Sequence, residues 1–195
     1  LAGLLAENGR SEEALPIYER ALSEFEALVG KDHHEYGQCL ANLASFHSNL
    51  GRFERAEEML RHAIAILEKS RGPEHKEVGA ALTNLASVLD LRGKETEAER
   101  LFRRALAIAE DSPAPDPARI AHSVHGLAAV LKDQGRYEDA VPLYKRALSL
   151  LESVGRGEQA QFAYTLNALG RLEAERGDLR EAERYLRKAL DLRRR

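Results

Sequence analysis

The sequence predicts an all-α protein, a solenoid built from antiparallel helix pairs. Three observations lead to this prediction. One segment recurs five times at a constant step of 42 residues, apolar residues within each copy recur at helical spacing, and a glycine divides each copy in two. Two helices of this kind cannot bury both of their apolar faces alone, so the copies must stack on one another.

The clearest copy is Leu127–Leu148, which reads LAAVLKDQGRYEDAVPLYKRAL. Its opening leucine, its central glycine and two of its alanines each keep the 42-residue step through the whole chain. The four columns are Leu1, Leu43, Leu85, Leu127 and Leu169; Gly9, Gly51, Gly93, Gly135 and Gly177; Ala14, Ala56, Ala98, Ala140 and Ala182; and Ala21, Ala63, Ala105, Ala147 and Ala189. Four columns in register without an insertion identify a repeat protein.

The helices follow from the pattern within a copy. Leu127, Val130 and Leu131 share one face of a first helix, and Tyr144 belongs to the apolar face of a second. Gly135 separates the two, where a glycine can adopt the left-handed conformation that ends a helix. Carried along the chain, this pattern predicts helices over about 11–29, 34–50, 53–70, 76–91, 95–110, 118–134, 137–153, 158–176 and 179–193.

We expect one array over residues 1–195, with repeats at about 1–34, 35–76, 77–118, 119–160 and 161–195. Leu1 matches the middle of a first helix, so the first repeat is truncated and the chain is expected to be part of something longer. Residues 111–117 contain three prolines and could form an interdomain linker. The 42-residue step survives across them, which favours a loop inside the array.

The unit resembles the tetratricopeptide repeat at Leu127, Ala128, Gly135, Tyr137, Ala140, Tyr144 and Ala147. The usual period of that repeat is about 34 residues. Three features are similar to the repeats of kinesin light chains: the longer period, the segment YEDAVPLYKRAL (137–148) and the connection GPEHKEVGAALTNLA (72–86). The resemblance implies a right-handed superhelix whose first helices line a concave groove that holds extended peptides.

Spacing selects the side chains that line such a groove, because positions three and seven apart share one side of a helix. These positions are polar while their neighbours are leucine and alanine. The predicted peptide-binding residues are Gln38, Asn42, Ser45, Asn84, Ser87, His122, His125, Lys132, Tyr164, Asn167 and Arg171. The alternative is that the same residues form a solvated helix face without a ligand.

Asparagine can both donate to and accept from a peptide backbone. Asn42 and Asn84 match the asparagine of the kinesin-light-chain pattern Asn-Leu-Ala, which the resemblance implies contacts peptides. Gly126 takes that place in repeat four. In the C-terminal half, His122, His125, Lys132 and Arg171 give a mildly basic character, which predicts a ligand with acidic side chains, although Asp90 and Asp133 oppose this.

The sequence contains no catalytic motif, phosphate-binding loop or CxxC pair, so we expect neither an enzyme nor a cofactor. His33 and His34, with Asp32 and Glu35, are the residue types of a metal site. His33 aligns with His75, however, in a connection that resembles the family's Gly-x-x-His-Pro. This alignment favours a structural role for His33 and His75, and no metal is expected.

Composition narrows the class of partner. Charged residues make up 31% of the chain and the net charge is −3, which disfavours nucleic-acid binding. No apolar run reaches the length of a membrane span. The single cysteine, Cys39, excludes a disulfide framework and fits a reducing, cytoplasmic compartment.

The sequence therefore predicts a non-catalytic scaffold that binds a protein or peptide. The alternative is a regulatory or sensor region of a larger protein that packs against its own effector domain. No sixth unit follows to cover Leu186, Ala189 and Leu190. A homodimer or end-to-end stacking through the uncovered terminal helices is a further hypothesis.

Overall fold

A computed structural model describes residues 11–155 and 158–193. Leu1 and Gly9 of the repeat columns lie outside this part of the chain. The described residues form helices and turns and contain no strand. The helices are α1 (Ser11–Val29), α2 (His34–Asn49), α3 (Phe53–Arg71), α4 (Lys76–Leu91), α5 (Glu95–Glu110), α6 (Pro117–Asp133), α7 (Tyr137–Val154), α8 (Gln159–Glu175) and α9 (Leu179–Arg193). The all-α prediction is confirmed, and each predicted helix agrees to within one residue at either end.

The chain divides into two compact units, Leu1–Lys94 and Glu95–Arg195. In the first unit, α1 packs on α2, α2 on α3 and α3 on α4, and α2 also contacts α4. Its core includes Leu40, Leu43 and Phe46 of α2 with Leu60 and Leu67 of α3. These apolar residues recur at helical spacing, so each helix buries one stripe against its neighbours.

The second unit repeats this arrangement from α5 to α9, with each helix packed on the next and with α6 also in contact with α8. Tyr144, Leu166 and Leu169 are among its fully buried side chains. The proline-rich connection between α5 and α6 lies within this unit. Pro117 occupies the first turn of α6, and the Asp116 carboxylate caps that helix by accepting a hydrogen bond from Ala118 N over 3.0 Å.

The two alanine columns mark close helix approaches in both units. Eight members of the two columns are buried, namely Ala56, Ala98, Ala140 and Ala182, and Ala63, Ala105, Ala147 and Ala189. Ala21 of α1 is half-buried. A larger side chain at any of these crossings would overpack the core, at a cost of about 1–3 kcal/mol.

Gly135 ends α6 in the predicted left-handed conformation, with φ of 75°. The N–H of Arg136 donates to the carbonyl of Leu131 over 2.8 Å, and the N–H of Gly135 donates to the carbonyl of Lys132 over 2.9 Å. These bonds satisfy carbonyl groups that the end of the helix would otherwise leave unpaired.

A carboxylate at the same repeat position joins successive helix pairs within each unit. Glu57 of α3 accepts hydrogen bonds from Arg61 at 2.9 Å, from Lys94 at 3.0 Å and from Arg92. Glu99 of α5, 42 residues on, accepts bonds from Arg103, Gln134 and Arg136 at 2.8–3.1 Å. Each carboxylate thus ties its own helix to the turn that follows the next first helix.

Candidate peptide-binding faces

In the first unit the predicted binding residues lie on α2 and α4. Gln38 and Asn42 are exposed, whereas Ser45, Asn84 and Ser87 are half-buried. We call these five residues the unit 1 polar face. α2 and α4 contact each other, and a side-chain hydrogen bond joins Ser45 to Asn84.

That hydrogen bond fixes the orientation of the Asn84 amide. Asn84 Nδ2 donates to Ser45 Oγ over 3.0 Å. Ser45 Oγ gives its own proton to the carbonyl of Ala41 over 3.1 Å, so toward Asn84 it can only accept. The NH₂ group of Asn84 therefore faces Ser45 of α2, and its Oδ1 is the acceptor end of the amide. Asn42 is exposed and has no side-chain partner among the described residues.

In the second unit His125 of α6 is buried, with 7% of its surface exposed. Its Nδ1 lies 3.0 Å from Thr165 Oγ1, and Thr165 Oγ1 donates to the carbonyl of Gln161 over 2.8 Å. Because that hydroxyl has one proton, His125 Nδ1 is the donor to Thr165. The imidazole also packs edge-on against Tyr144, at 5.2 Å between ring centroids, and against Tyr164, at 4.9 Å.

Burial, with a smaller effect from nearby His122, lowers the pKa of His125 to about 4. The ring is therefore uncharged at neutral pH. The expectation that His125 adds positive charge to this half of the chain is wrong, because its environment of tyrosine rings and one hydroxyl disfavours the charged form. The neutral ring instead supports Tyr164, which is 54% exposed.

The remaining predicted residues of the second unit differ in how much charge they offer a ligand. Lys132 is half-buried and forms an ion pair with Asp133, with Nζ and Oδ1 2.7 Å apart. That hydrogen bond raises the pKa of Lys132, while the charge of Arg171 opposes the shift, which places the two cations within electrostatic reach. Arg171 is exposed and has no ion-pair partner in the described part of the chain. The positive charge of this face thus rests on Arg171.

We call His122, Lys132, Tyr164, Asn167 and Arg171 the unit 2 polar face. His122 and Tyr164 are exposed and Asn167 is half-buried. The ring of Tyr164 packs against that of the buried His125, and the charge of Arg171 acts on Lys132.

Gly126 departs from the asparagine of the other repeats for a packing reason. A Cβ atom added at Gly126 would clash with the ring of Phe102 of α5. Phe102 is 1% exposed, so the ring has no room to move away. An asparagine at position 126 would displace α6 from α5.

Sequence reasoning missed two residues that shape this region, Thr165 and Phe102. Thr165 shares a repeat position with Cys39, Ala81 and Ser123, which are small and buried, and nothing in the sequence shows that its hydroxyl meets His125.

His33 and His75 serve as helix caps. Each Nδ1 accepts a hydrogen bond from a backbone N–H in the first turn of the following helix, from Glu35 at 3.4 Å and from Glu77 at 3.3 Å. Within residues 11–155 and 158–193, no group of three or more His, Cys, Asp or Glu side chains is arranged to hold a metal ion. The same residues contain no helix long and apolar enough to cross a bilayer.

The paired helices, the glycine-ended turns and the buried alanine columns define a helix-pair repeat protein. The sequence model of the tetratricopeptide repeat matches residues 1–69, 39–111 and 118–195. The chain belongs to the tetratricopeptide repeat family. Repeats of this family are generally non-catalytic scaffolds for protein interactions.

Several solved structures share the fold at low sequence identity. BtubC (BKLC) from P. vanneervenii is 23% identical with a TM-score of 0.81, over 99% of this chain and 77% of that one. A putative kinesin light chain with nearly identical TPR-like repeats, from Podosopora anserina, is 23% identical with a TM-score of 0.74, over 99% and 92%. A Rap protein in complex with competence and sporulation factor is 15% identical with a TM-score of 0.85, over 98% and 51%. Among curated proteins, none matches the sequence significantly.

Proposed function

We propose that the chain is a non-catalytic scaffold that binds an extended peptide, or an extended segment of a partner protein, on its polar faces. The observation that carries this proposal is the hydrogen-bonded pair of Asn84 and Ser45, with Asn42 exposed one repeat earlier. An extended peptide presents an N–H and a C=O at every residue. An asparagine amide matches both, so it binds backbone with little regard to sequence.

Pre-orientation strengthens this proposal. A free asparagine side chain loses rotamer freedom when it binds, and that loss weakens binding. Asn84 is already held by Ser45 in the ligand-free chain, so less freedom remains to be lost. On the unit 2 polar face, Tyr164 supplies an aromatic surface and Arg171 a positive charge, which suits a segment with acidic side chains.

The test is a displayed-peptide selection on the purified protein beside the variant Asn84→Leu, Arg171→Glu. We expect the parent alone to enrich a peptide motif, and enriched peptides to bind the double variant at least about tenfold more weakly, as for the loss of a charged hydrogen bond.

A matched control variant is Ala65→Leu, Arg100→Glu. It introduces the same two residues, leucine and glutamate, at two exposed positions of α3 and α5 and should bind like the parent. Equal binding by all three proteins would place the ligand elsewhere, and absence of any enriched motif would contradict the proposal.

A second candidate function is the regulatory one, in which the chain packs against an effector domain of a longer protein. Exposed leucines on α9 favour it: Leu179 is 70%, Leu186 36% and Leu190 47% exposed. Expression with any flanking coding sequence should then protect the amides of α9 from hydrogen exchange. Protection that instead depends on protein concentration would indicate homodimers or end-to-end stacking. If the α9 amides exchange equally fast in every case, the result would count against both the regulatory function and self-association.

We also infer a cytoplasmic site of action. Cys39 is a buried free thiol, and its burial raises its pKa, so the side chain is a packing element in the thiol form. Imaging of a tagged chain in its own cell would test this inference.

A further inference from the structure

The helix α9 exposes a position that the second helix of each earlier repeat buries. Leu60 of α3, Phe102 of α5 and Tyr144 of α7 share this repeat position and are exposed by 0%, 1% and 1%. Each of these helices packs on the first helix that follows it, namely α4, α6 and α8. Leu186 holds the same position in α9 and is 36% exposed.

Phe102 shows what this position contacts. Its ring lies where a Cβ atom at Gly126 of the following helix, α6, would be. The next apolar position of the same stripe repeats the contrast, since Ile64 and Leu148 are exposed by 8% and 9% but Leu190 by 47%. The open stripe of α9 is therefore the continuation of an interface that occurs within both units.

The residue types of this interface are retained in α9. Five positions along it keep the chemical character that they have in α3, where they hold an aromatic residue, a glutamate, a leucine, an arginine and an isoleucine. In α9 they hold Leu179, Glu183, Leu186, Arg187 and Leu190. We call these five residues the α9 docking face. A helix that fits α3 should therefore fit α9 as well.

The glutamate of this interface indicates the charge of the helix that packs on it. Glu57 accepts a hydrogen bond from Lys94 over 3.0 Å, and Glu99 accepts one from Arg136 over 3.1 Å. Lys94 and Arg136 each follow directly after the glycine that ends the next first helix. Both carboxylates are mostly buried in these contacts, with 10% and 18% of the side chain exposed.

Glu183 holds the position of Glu57 and Glu99 but is 60% exposed, and it pairs with Arg187 of its own helix. Glu57 and Glu99 make the same pair within their helices and still accept a cation from the next turn. Packing a helix on α9 would bury Glu183 in turn, and a buried carboxylate needs a charged partner. The helix that fits α9 thus carries a cation beyond its final turn.

The apolar members of this position show that the cation is tied to the glutamate. Leu15 of α1 precedes Arg52, whereas Val141 of α7 precedes Asp178, each directly after the glycine of the next turn. Either charge is therefore accepted opposite an apolar residue. Opposite each of the two glutamates the residue is a cation.

We propose that the α9 docking face binds a helix of a separate partner protein, one that ends in a glycine followed directly by lysine or arginine. The apolar side of that helix packs on Leu186 and Leu190, and the cation donates to Glu183. A second copy of this chain offers no such helix among its described residues, because α2, α4 and α6 already pack on α1, α3 and α5.

The α9 docking face shares no residue with either polar face, so this binding is independent of peptide binding there. It shares α9 with the second candidate function, in which the occupant is a domain of the same chain. The experiment below separates the two.

The probe is a synthetic peptide with the α4 sequence, residues 76–94, which ends in Gly93 and Lys94. A cross-link between positions 76 and 80, both exposed in the protein, holds it helical. We expect saturable NMR shifts and slower hydrogen exchange in α9 when isotope-labelled protein is titrated with it. A peptide with Arg92→Glu and Lys94→Glu should bind at least about tenfold more weakly, although its apolar side is the same.

A charge exchange carries the test. Glu183→Lys should bind the original peptide at least about tenfold more weakly than the parent does, and it should bind the charge-reversed peptide to within about threefold of the original pair. Asp191→Lys is the matched control, because it makes the same change at an exposed carboxylate of α9 outside the docking face. It should bind like the parent, and circular dichroism verifies that both variants are folded.

Four results would overturn the proposal. Equal binding of the two peptides by the parent would show that Glu183 does not select a cation. Self-association of the parent that blocks the peptide would assign the face to a second copy. Loss of peptide binding when flanking coding sequence is included would assign it to the same chain, as in the second candidate function. No saturable binding of either peptide would show that the face is a solvated helix surface.

Discussion

The burial of His125 makes the stability of the second unit depend on pH. In an unfolded chain histidine titrates near 6.5, whereas the folded environment lowers the pKa of His125 to about 4. Between these values the unfolded chain binds more protons than the folded chain, so the free energy of unfolding falls as the pH falls from 6.5 to 4. A pKa difference of one corresponds to about 1.4 kcal/mol, so the effect at pH 4 is about 3 kcal/mol. No reduction for solvent screening applies, because the ring is nearly inaccessible.

The perturbation that isolates this effect is His125→Thr. Threonine occupies the same repeat position at Thr83, where it is buried, so the fold accepts it, and it does not titrate. At pH 7.5 the variant should be less stable than the parent by about 1–3 kcal/mol, because it loses the bond to Thr165 and the ring contacts with Tyr144 and Tyr164. At pH 4 the parent has lost its advantage, so the difference should shift by about 3 kcal/mol toward the variant.

Two measurements check this expectation. The first is urea unfolding of both proteins at several pH values from 7.5 to 4. Hydrogen exchange in α6 and α8 monitors the unfolding, because the unfolding of repeat proteins need not be all-or-none. Titrating groups that do not interact with His125 are present in both proteins and cancel in the difference, and the interaction with His122 is the smaller effect. The second is an NMR titration of the His125 ring. A stability difference that stays constant with pH, or a ring midpoint near 6, would refute the reasoning.

Three further predictions concern the ion pairs of Glu57, the turn at Gly135 and the helix packing at Gly126. Glu57→Gln should lower stability by about 1–3 kcal/mol at neutral pH. Burial raises the pKa of Glu57, but the hydrogen bonds and charges of the surrounding cations outweigh burial, so the pKa lies below its ordinary value. The stabilisation by Glu57 should therefore be lost as the pH falls below about 4.5. An acid unfolding curve that is the same for the parent and Glu57→Gln would contradict this. Gly135→Ala should cost about 1–2 kcal/mol in denaturant unfolding, from left-handed backbone strain alone, since nothing lies near its Cβ; an equal cost for Asn, which tolerates this conformation, would argue against strain. Gly126→Ala should destabilise by about 1–3 kcal/mol, although alanine is the better helix former, and Phe102→Leu should rescue it; stabilisation by the single change would disprove the clash.

The fold was predictable because the same residue pattern recurs several times along one chain. The 42-residue step fixed which residues share an environment, and the helical spacing within a copy fixed which face is buried. The left-handed glycine at Gly135 and the burial of Ala140 follow directly from these two patterns. Such features repeat because, within each unit, successive helices pack on one another in the same way.

The polar faces are harder to predict from the sequence. Spacing along one helix shows which residues share a side, but it does not show how closely the next first helix approaches. For that reason the sequence predicts an exposed cation at His125, whereas the ring lies against α8 and contacts Thr165 and Tyr164. The bond from Asn84 to Ser45 is likewise hidden, because it joins residues 39 positions apart.

Positions where one repeat differs from the others carry the functional information in such a chain, provided that packing does not explain the difference. Gly126 differs from Asn84, and the ring of Phe102 accounts for it completely. His47 differs from Leu89 and Leu131, and packing offers no account, because a leucine fills the same position and leaves no unpaired atom. The imidazole of His47 leaves its Nδ1 buried and unpaired, which makes histidine less favourable than leucine for folding at this position.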